Sequence, residues 1–334
     1  MHCELVVPAL FAAHEIPRLP SLELLLARGR AAHADSVSLE AWLADGFDLG
    51  EGALPAGAIT AQADGTGYPD RNSFWLRADP VHLRLGRASV TLIPAVGCNL
   101  TRDDALAFVA ALNGHFGTQH LFVMVRPEQW CLRAGGEGEG SLESRSPLEL
   151  AAQEIGTALP RGTDAARWHA LMNETQMVLH DHPLNAERER RGEPSVNSVW
   201  LWGAGRLPAS AHAPWHSVTA DDALAAGLAR IAGLRQRALP PGAAEWLDRT
   251  PHDGRHLVVL DSLRAALALG GADSHAERVA TLESRWFAPL LEALRAGRIG
   301  MVTVQVPDSG HSCETVRSDL RRFWRRARPL AAYA

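Results

Sequence analysis

The stretch from Trp168 to Pro208 constrains the fold most, because it combines a helix, a sharp stop, a second short helix, a strand and a glycine loop. Apolar residues recur at spacings of three, four and seven from Trp168 to Leu179, which predicts a helix with one buried face. Pro183 ends that helix, since proline disfavours helical geometry at the residue before it. A short charged helix is predicted from Ala186 to Arg191, with Asn185 as its cap.

A predicted buried strand, Val196 to Trp202, runs directly into the loop sequence Gly203-Ala204-Gly205-Arg206. Glycines just past a strand let the backbone approach a ligand closely, and an arginine can bind a phosphate or a carboxylate with its planar fork. The pattern therefore suggests an anion-binding loop. A tight turn between strand and loop is the alternative, which the short GxG motif taken alone favours.

Two runs around this stretch resemble a segment of the archaeal-type cofactor-independent phosphoglycerate mutases. They read SPLELAAQEIGTALPRGTDAARWHALM and HPLNAERERRGEPSVNSVWLWGAGRLP. The shared features are HP-hydrophobic-N, a charged helix, an Asn or Thr before a strand, and WGxGxxP. The runs are more similar still to the RpfE-type regulatory proteins, a bacterial family often described as mutase-like. The resemblance is dense from Leu148 to Pro208 and diffuse on both sides.

This resemblance implies an alkaline-phosphatase-like α/β fold, in which a mainly parallel sheet is flanked by helices and a smaller α+β domain is inserted. We expect the α/β core in residues 1–70 and 190–334, and the inserted domain in residues 71–189. An anion pocket is expected from five residues of the central stretch. They are His182, Asn185, Gly203, Gly205 and Arg206.

Aspartates and histidines that follow predicted strands are candidates for a metal site. The predicted first strand, Cys3 to Leu10, ends without a carboxylate, although the resemblance implies a metal-binding aspartate there and a serine or threonine nucleophile nearby. Two-metal phosphoryl transfer needs several oxygen or nitrogen ligands around each ion. With an altered ligand set, Mn or Zn would be held by Asp261, Asp273, His275, Asp308 and His311. The alternative, which we favour, is that these are ordinary turn residues after strands.

Asp79 and His82 lie at the end of a strand that is predicted from Phe74 to His82. The two side chains could act as an acid and a base or bind a metal ion. The Asp79-Pro80 step instead favours a turn, because an aspartate before proline commonly begins one.

The last predicted helix, Val316 to Arg328, carries arginines around Leu320, Phe323 and Trp324. Its RRFWRR sequence resembles the ending of RpfE-type proteins. A basic helix with aromatic residues can bind an acidic partner or a nucleic-acid backbone. In the alternative interpretation, the aromatic residues dock the helix on its own domain and the arginines form solvated ion pairs.

The composition excludes several classes of function. All 33 basic residues are arginine, so a Walker-A phosphate loop, a Schiff-base cofactor and a lysine general base are excluded. The net charge of -5 and the pI near 6.3 argue against nucleic-acid binding.

The cysteines form no CxxC pair, which fits a reducing cytoplasm. The apolar run from Leu5 to Ala13 is shorter than the roughly 20 residues that a membrane span needs, so we expect a cytoplasmic protein.

Two main functional hypotheses follow. In the first, the chain is a catalytically degenerate relative of the cofactor-independent phosphoglycerate mutases, which needs no cofactor and acts as a regulatory or anionic-ligand-binding protein. Its ligand would be a phosphorylated or carboxylated small molecule. In the second, the chain is a metal-dependent phosphoglycerate mutase or phosphohydrolase. A partner-binding scaffold without a small ligand is a third, weaker hypothesis. Convergence of the five candidate metal ligands on one point would favour the second.

Overall fold

The computed structural model describes residues 1–12, 16–50, 52–63, 71–86, 90–135, 141–151, 155, 159–270 and 272–333, with the backbone alone at 272 and 273. The chain forms two compact units. The first consists of residues 1–48 and 212–334, and the second consists of residues 49–211. The second unit is therefore inserted into the sequence of the first.

The elements are numbered along the chain. The strands are β1 (His2–Val6), β2 (Arg30–His33), β3 (Phe74–Leu85), β4 (Val90–Pro94), β5 (His120–Arg126), β6 (Gln129–Ala134), β7 (Ser198–Gly205), β8 (Ser217–Ala220), β9 (Arg235–Arg237), β10 (Arg255–Val259), β11 (Met301–Val306) and β12 (His311–Val316). The helices are α1 (Pro20–Arg28), α2 (Leu39–Gly46), α3 (Ala56–Ala61), α4 (Arg102–Phe116), α5 (Pro147–Leu150), α6 (Ala165–His180), α7 (Pro183–Arg190), α8 (Ala223–Ile231), α9 (Ala243–Arg249), α10 (Ser262–Ala268), α11 (Ala272–Leu282) and α12 (Ala288–Ala296).

The first unit is built on a seven-stranded sheet in the order β2-β12-β11-β1-β10-β8-β9. Strands β11, β1, β10, β8 and β9 run parallel, whereas β12 is antiparallel to both β11 and β2. The central strands β1, β10 and β11 are largely buried, as is typical of parallel strands covered on both faces. Helices α1, α9 and α12 contribute Leu22, Trp246 and Leu290 to the core beside Leu5 of β1 and Val304 of β11. This parallel-rich α/β unit agrees with the expected fold class.

The second unit contains an antiparallel sheet centred on the long strand β3. Strand β3 pairs with β4 and β6 and also with β7, and β6 pairs with β5. Helix α6 packs on β7 and on α4. Trp75, Trp130, Trp168 and Trp200 are fully buried and fill this core. The unit is thus an α+β domain with its own hydrophobic core.

The boundaries of the two units differ from the expected ones. Residues 49–70 and 190–211 were expected in the α/β core, but they belong to the second unit. The reason is strand pairing, because β7 joins the sheet of the second unit through β3, and α3 packs against β3 and β7.

The central stretch follows the predicted order of elements, with three corrections to its details. Helix α6 ends before Pro183, as predicted, but Pro183 also begins α7, where its missing N–H is tolerated. His182 caps α7, so the prediction of Asn185 as the cap is wrong. Strand β7 continues through Gly205, so the two glycines lie inside the strand instead of in a loop beyond it.

Asp79 and His82 lie within β3, which continues to Leu85, so the turn predicted at Asp79-Pro80 is wrong. The Asp79 side chain is buried in an ion pair with Arg77. His82 Nδ1 lies 2.9 Å from the Ser195 carbonyl oxygen. Each side chain is thus held by a neighbour of its own, and the two do not pair with each other.

The predicted helix from Val316 to Arg328 is also wrong. Only a 3₁₀ turn from Arg317 to Arg321 forms within this range, and residues 322–328 are irregular. Phe323 and Trp324 remain largely exposed, at 77% and 66% of their surface, instead of docking on the unit. In the described part of the chain, no helix has the length and apolar character that a bilayer crossing requires.

Candidate functional site

The carboxyl ends of the parallel strands β11, β1, β10 and β8 lie along one edge of the first unit's sheet. Open α/β proteins bind their ligands at this edge. Asp222 follows β8, Asp261 follows β10 and Asp308 follows β11. After β1 the chain continues with an apolar segment that contains Ala9. The end of β1, which was predicted to carry no carboxylate, therefore lies at the centre of this edge.

Ala9 has a left-handed backbone conformation with φ of 63°, which is unusual for a residue with a side chain. Its N–H donates to Asp308 Oδ1 at 2.9 Å. Its carbonyl oxygen lies 2.8 Å from His275 Nε2, and because a carbonyl can only accept, Nε2 must carry the proton. Two of the predicted metal ligands therefore meet at Ala9 and hold its costly conformation in place.

His275 and His311 each keep one ring nitrogen without a hydrogen-bond partner. In the described part of the protein, the buried atoms His275 Nδ1 and His311 Nε2 have no partner. The other nitrogen of His311, Nδ1, lies 3.3 Å from His33 Nε2. Burial, and secondly the His33 ring, lower the pKa of His311, so its neutral form is favoured. Unused buried nitrogens of this kind require an explanation, whether strain, a water molecule or a ligand.

Asp261 interacts electrostatically with Asp222 and with Arg264. Burial, and secondly the Asp222 carboxylate, raise the pKa of Asp261 to about 6, and Arg264 opposes this shift. Arg264 pairs with Glu40 at 2.7 Å. A carboxyl group with a raised pKa at the ligand-binding edge of a sheet is a marker of functional sites.

Asp261→Asn is expected to stabilise the protein by about 1–3 kcal/mol at pH 7.5 and to change its stability little at pH 4. The pKa of Asp261 is higher in the folded state, at about 6, than the ordinary value of 3.8. The folded state therefore holds this proton more tightly, and the wild type loses stability as the pH rises through that window. Urea unfolding at both pH values measures the effect. The exposed Asp35→Asn variant is the control, and equal effects of Asp261→Asn at both pH values would contradict the prediction.

Asn185, expected in an anion pocket, uses its side chain to join three backbone segments. The Nδ2 group donates to the carbonyl oxygens of Leu179 at 2.7 Å and Val196 at 2.9 Å. Oδ1 accepts from the Val196 N–H at 2.9 Å. The side chain is buried, so it closes the connection between α6, α7 and β7.

Gly203 and Gly205 allow a β-bulge and close packing against α3. Trp75 of β3 pairs with Gly205 and Arg77 with Trp202, so two residues of β7 oppose one of β3. Gly203 has φ of 58°, and a Cβ there would lie 2.5 Å from Ala56 Cβ. A Cβ on Gly205 would lie 2.7 Å from Pro55 Cβ. The space that a ligand would enter is thus filled by the start of α3.

The five residues of the expected anion pocket are not brought together. His182 accepts from the Leu184 N–H at 3.3 Å and packs against Phe108, and burial lowers its pKa. Asn185 binds Val196, just before β7 begins, whereas the glycines and the exposed Arg206 lie at its far end. The length of β7 separates the two groups by roughly 20 Å at about 3.3 Å per residue.

The structure brings some of the candidate metal ligands together and leaves others apart. Asp308 and His275 meet at Ala9, while the contacts of His311 are with His33 and Phe11. Asp261 is grouped with Asp222, which was not among the candidate residues. Asp222 caps α8, and its position two residues after the parallel strand β8 is the signal that could have identified it as a site residue. The Asp273 side chain lies outside the described part.

Comparison with known proteins extends these observations. No family model matches the chain. A probable 2,3-bisphosphoglycerate-independent phosphoglycerate mutase of Geobacter sulfurreducens is 27% identical over 273 residues, which are 74% of this chain and 65% of that protein. A 2,3-bisphosphoglycerate-independent phosphoglycerate mutase of Methanosarcina mazei is 24% identical over 310 residues, or 82% of this chain and 74% of that protein. This chain is similar to cofactor-independent phosphoglycerate mutases.

A solved structure also resembles the chain. The PH0037 protein from Pyrococcus horikoshii superposes with a TM-score of 0.54 at 14% identity, and the match covers 94% of this chain and 87% of that one. At this identity the similarity concerns the fold alone. The mixed α/β architecture is consistent with the alkaline-phosphatase-like fold that the resemblance implies. The match spans slightly less than two thirds of the Geobacter protein's length.

Proposed function

We propose that this protein is a catalytically degenerate, RpfE-type relative of the cofactor-independent phosphoglycerate mutases, acting in the cytoplasm as a regulatory or anionic-ligand-binding protein. The proposal rests on the residues that follow β1 and on the side chains that bind them. Where the resemblance implies a metal-binding aspartate, the chain has Pro8, Ala9 and Leu10, and Asp308 and His275 bind the backbone of Ala9. These two side chains are thereby engaged in holding the fold.

The described side chains do not fit a site for two metal ions. No three His, Cys, Asp or Glu side chains in the described part lie close enough together to hold one ion. His275 Nε2 donates its proton to the Ala9 carbonyl, so it cannot also coordinate a metal ion in this arrangement. Two-metal phosphoryl transfer requires ions that clamp the attacking and leaving oxygens together. This donor arrangement supports the proposal of degeneracy.

One observation favours the alternative of a metal-dependent mutase or phosphohydrolase. His275 Nδ1 and His311 Nε2 are buried and without partners in the described part. Neutral imidazole nitrogens of this kind are ligands that Zn²⁺ and other transition metals accept. A single ion bound by both rings would revive the enzyme hypothesis, and the titration below distinguishes the two.

The C-terminal segment supports the regulatory part of the proposal. Phe323 and Trp324 are largely exposed and contact each other edge to face, with ring centroids 5.3 Å apart. Arg321, Arg326 and Arg328 are exposed around them. An exposed aromatic pair among cations complements an acidic protein partner, because aromatic residues and arginine are enriched at protein interfaces.

Calorimetric titration of chelator-treated protein with Mn²⁺ and then Zn²⁺ tests the proposal. We expect no site tighter than about 1 μM for either ion, because a preformed multi-ligand site would bind at least that tightly. The same samples, supplied with Mn²⁺ and Zn²⁺, are expected to leave the ratio of 2- to 3-phosphoglycerate unchanged. Binding of two tight ions with interconversion of the two phosphoglycerates would overturn the proposal.

The variants His275→Ala and Asp308→Asn test whether any metal ion that the titration detects binds at the carboxyl edge of the sheet. If a tight ion appears and both variants lose it, the ion lies at the carboxyl edge and the metal-dependent alternative is supported. If the ion is retained in both variants, it binds elsewhere and the proposed degeneracy of this edge stands. Circular dichroism of both variants checks that they remain folded.

A further inference from the structure

A cleft opens in the first unit between the outermost strand β9 and helix α9. It has a volume of about 550 Å³ and is lined by residues that include Thr219, Arg237, Pro240, Trp246 and Arg249. Small-molecule sites in proteins commonly occupy about 300–1,000 Å³. The cleft is therefore large enough for a small organic ligand, and it uses none of the aspartates or histidines described above.

The base of the cleft is held in place by hydrogen bonds. Trp246 Nε1 donates to Thr219 Oγ1 at 3.2 Å, and Thr250 Oγ1 donates to the Trp246 carbonyl oxygen at 2.6 Å. All three side chains are buried. Because Thr219 Oγ1 accepts from the indole, its own O–H stays available to donate, and no acceptor for it occurs in the described part of the unit. The base thus offers a hydrogen-bond donor beside an apolar surface.

The two arginines give the cleft a positive wall. Arg237 Nη1 donates to the Arg249 carbonyl oxygen at 2.5 Å, which fixes the guanidinium against α9. Its Nε and Nη2 groups contact no carboxylate in the described part. Arg249 is 66% exposed and pairs with Glu245 at 2.7 Å.

The nearby carboxylates have other partners. Asp221 Oδ1 accepts from the Leu239 N–H at 3.0 Å. Asp248 of α9 pairs with Arg298 at 3.0 Å. With Glu245 bound to Arg249, the guanidinium of Arg237 is left as an uncompensated cation at the cleft. A negatively charged ligand would complete this arrangement.

We propose that this cleft binds a small organic phosphate monoester. Arg237 and Arg249 would bind the phosphate oxygens, because guanidinium groups bind phosphate through paired, charge-assisted hydrogen bonds. Thr219 would donate a further hydrogen bond, and Trp246 and Pro240 would contact the organic part. This inference rests on the proposed anionic-ligand function and assigns it a site, but it does not depend on the state of the carboxyl edge.

The experiment titrates full-length protein with phenyl phosphate at constant ionic strength, with inorganic phosphate as the second probe. We expect saturable binding of phenyl phosphate to one site, with inorganic phosphate binding more weakly because it lacks the organic group. Arg237→Gln and Arg249→Gln should each weaken phenyl phosphate binding by about tenfold or more, since each removes charge-assisted hydrogen bonds. Both arginines are exposed, and thermal unfolding checks that the variants fold.

Arg295→Gln is the matched control, because Arg295 is a half-exposed arginine of the same unit that pairs with Glu292 at 2.6 Å. Its affinity for phenyl phosphate should equal that of the wild type. The proposal is overturned if phenyl phosphate fails to bind at about 10 mM, far above the micromolar-to-millimolar range of such ligands. It is equally overturned if Arg237→Gln binds as well as Arg295→Gln. A failure here leaves the metal titration unaffected, so the two proposals can fail separately.

Discussion

Replacing Arg188 with alanine is expected to lower the free energy of unfolding by about 3–5 kcal/mol, because it breaks a buried ion pair and leaves a charge without its partner. The Arg188 side chain is fully buried, and its Nη1 pairs with Asp104 at 2.8 Å. Nε donates to the Pro194 carbonyl at 3.1 Å, and Nη2 donates to the Cys98 carbonyl. Alanine would leave the Asp104 carboxylate and two carbonyl groups with unmet hydrogen bonds. Urea unfolding followed by circular dichroism measures the loss.

Arg190→Ala is the matched control for this prediction. Arg190 lies on the same helix, α7, two residues further along, but its side chain is exposed. Its replacement should change stability by no more than about 0.5 kcal/mol, as for most surface substitutions. If the two alanine variants were equally stable, Arg188 would not be the anchor of α7 that its contacts indicate.

Asp79→Ala is expected to have a similar effect, a loss of about 3–5 kcal/mol, because it leaves the buried Arg77 without its carboxylate. Asp79 is only 5% exposed. Its Oδ1 lies 2.6 Å from Arg77 Nη2, and its Oδ2 accepts from Trp202 Nε1 at 2.7 Å. The Trp130 N–H also donates to Oδ1 at 3.3 Å. Burial raises the pKa of Asp79, and the charge of Arg77 opposes this rise.

A double replacement separates charge from packing at Asp79. Arg77→Met with Asp79→Leu removes both charges, so it should be less destabilising than Asp79→Ala alone, since no unpaired ion remains buried. Asp181→Ala, at an exposed position of the same unit, serves as the control for removing a carboxylate. A double variant as unstable as Asp79→Ala would mean that packing, and not the buried charge, accounts for the loss.

These two networks change how the polar residues of the second unit are understood. Asp79, a candidate acid or base in the sequence, is an internal ion-pair partner, and Asn185, a candidate ligand residue, joins backbone segments. Arg188 belongs to α7, a helix whose highly charged sequence suggests that its side chains are exposed to solvent. Buried polar groups need such partners, because leaving one unpaired costs about 1–3 kcal/mol or more.

The carboxyl edge of the first unit and the cleft beside α9 differ in how far the sequence could reveal them. Asp261 and Asp308 could be found because each follows an apolar strand, and ligands bind where parallel strands end. The cleft combines Thr219, Arg237 and Arg249 from two strands and a helix, with no motif that connects them. Only the pairing of β8 with β9 and the packing of α9 bring these side chains together.

The sequence by itself determined the class of fold, the similarity to phosphoglycerate mutases, the end of α6 before Pro183 and the absence of a carboxylate after β1. The class of fold followed from the resemblance to that family, whereas the end of the helix and the end of the strand depend on residues that are close along the chain, where hydrophobic periodicity and proline geometry act directly. The tertiary structure alone decided that Gly203 makes room for α3 and that Asp308 and His275 hold Ala9. Those contacts join residues up to 299 positions apart, and such pairings follow from how strands and helices pack, which local patterns do not encode.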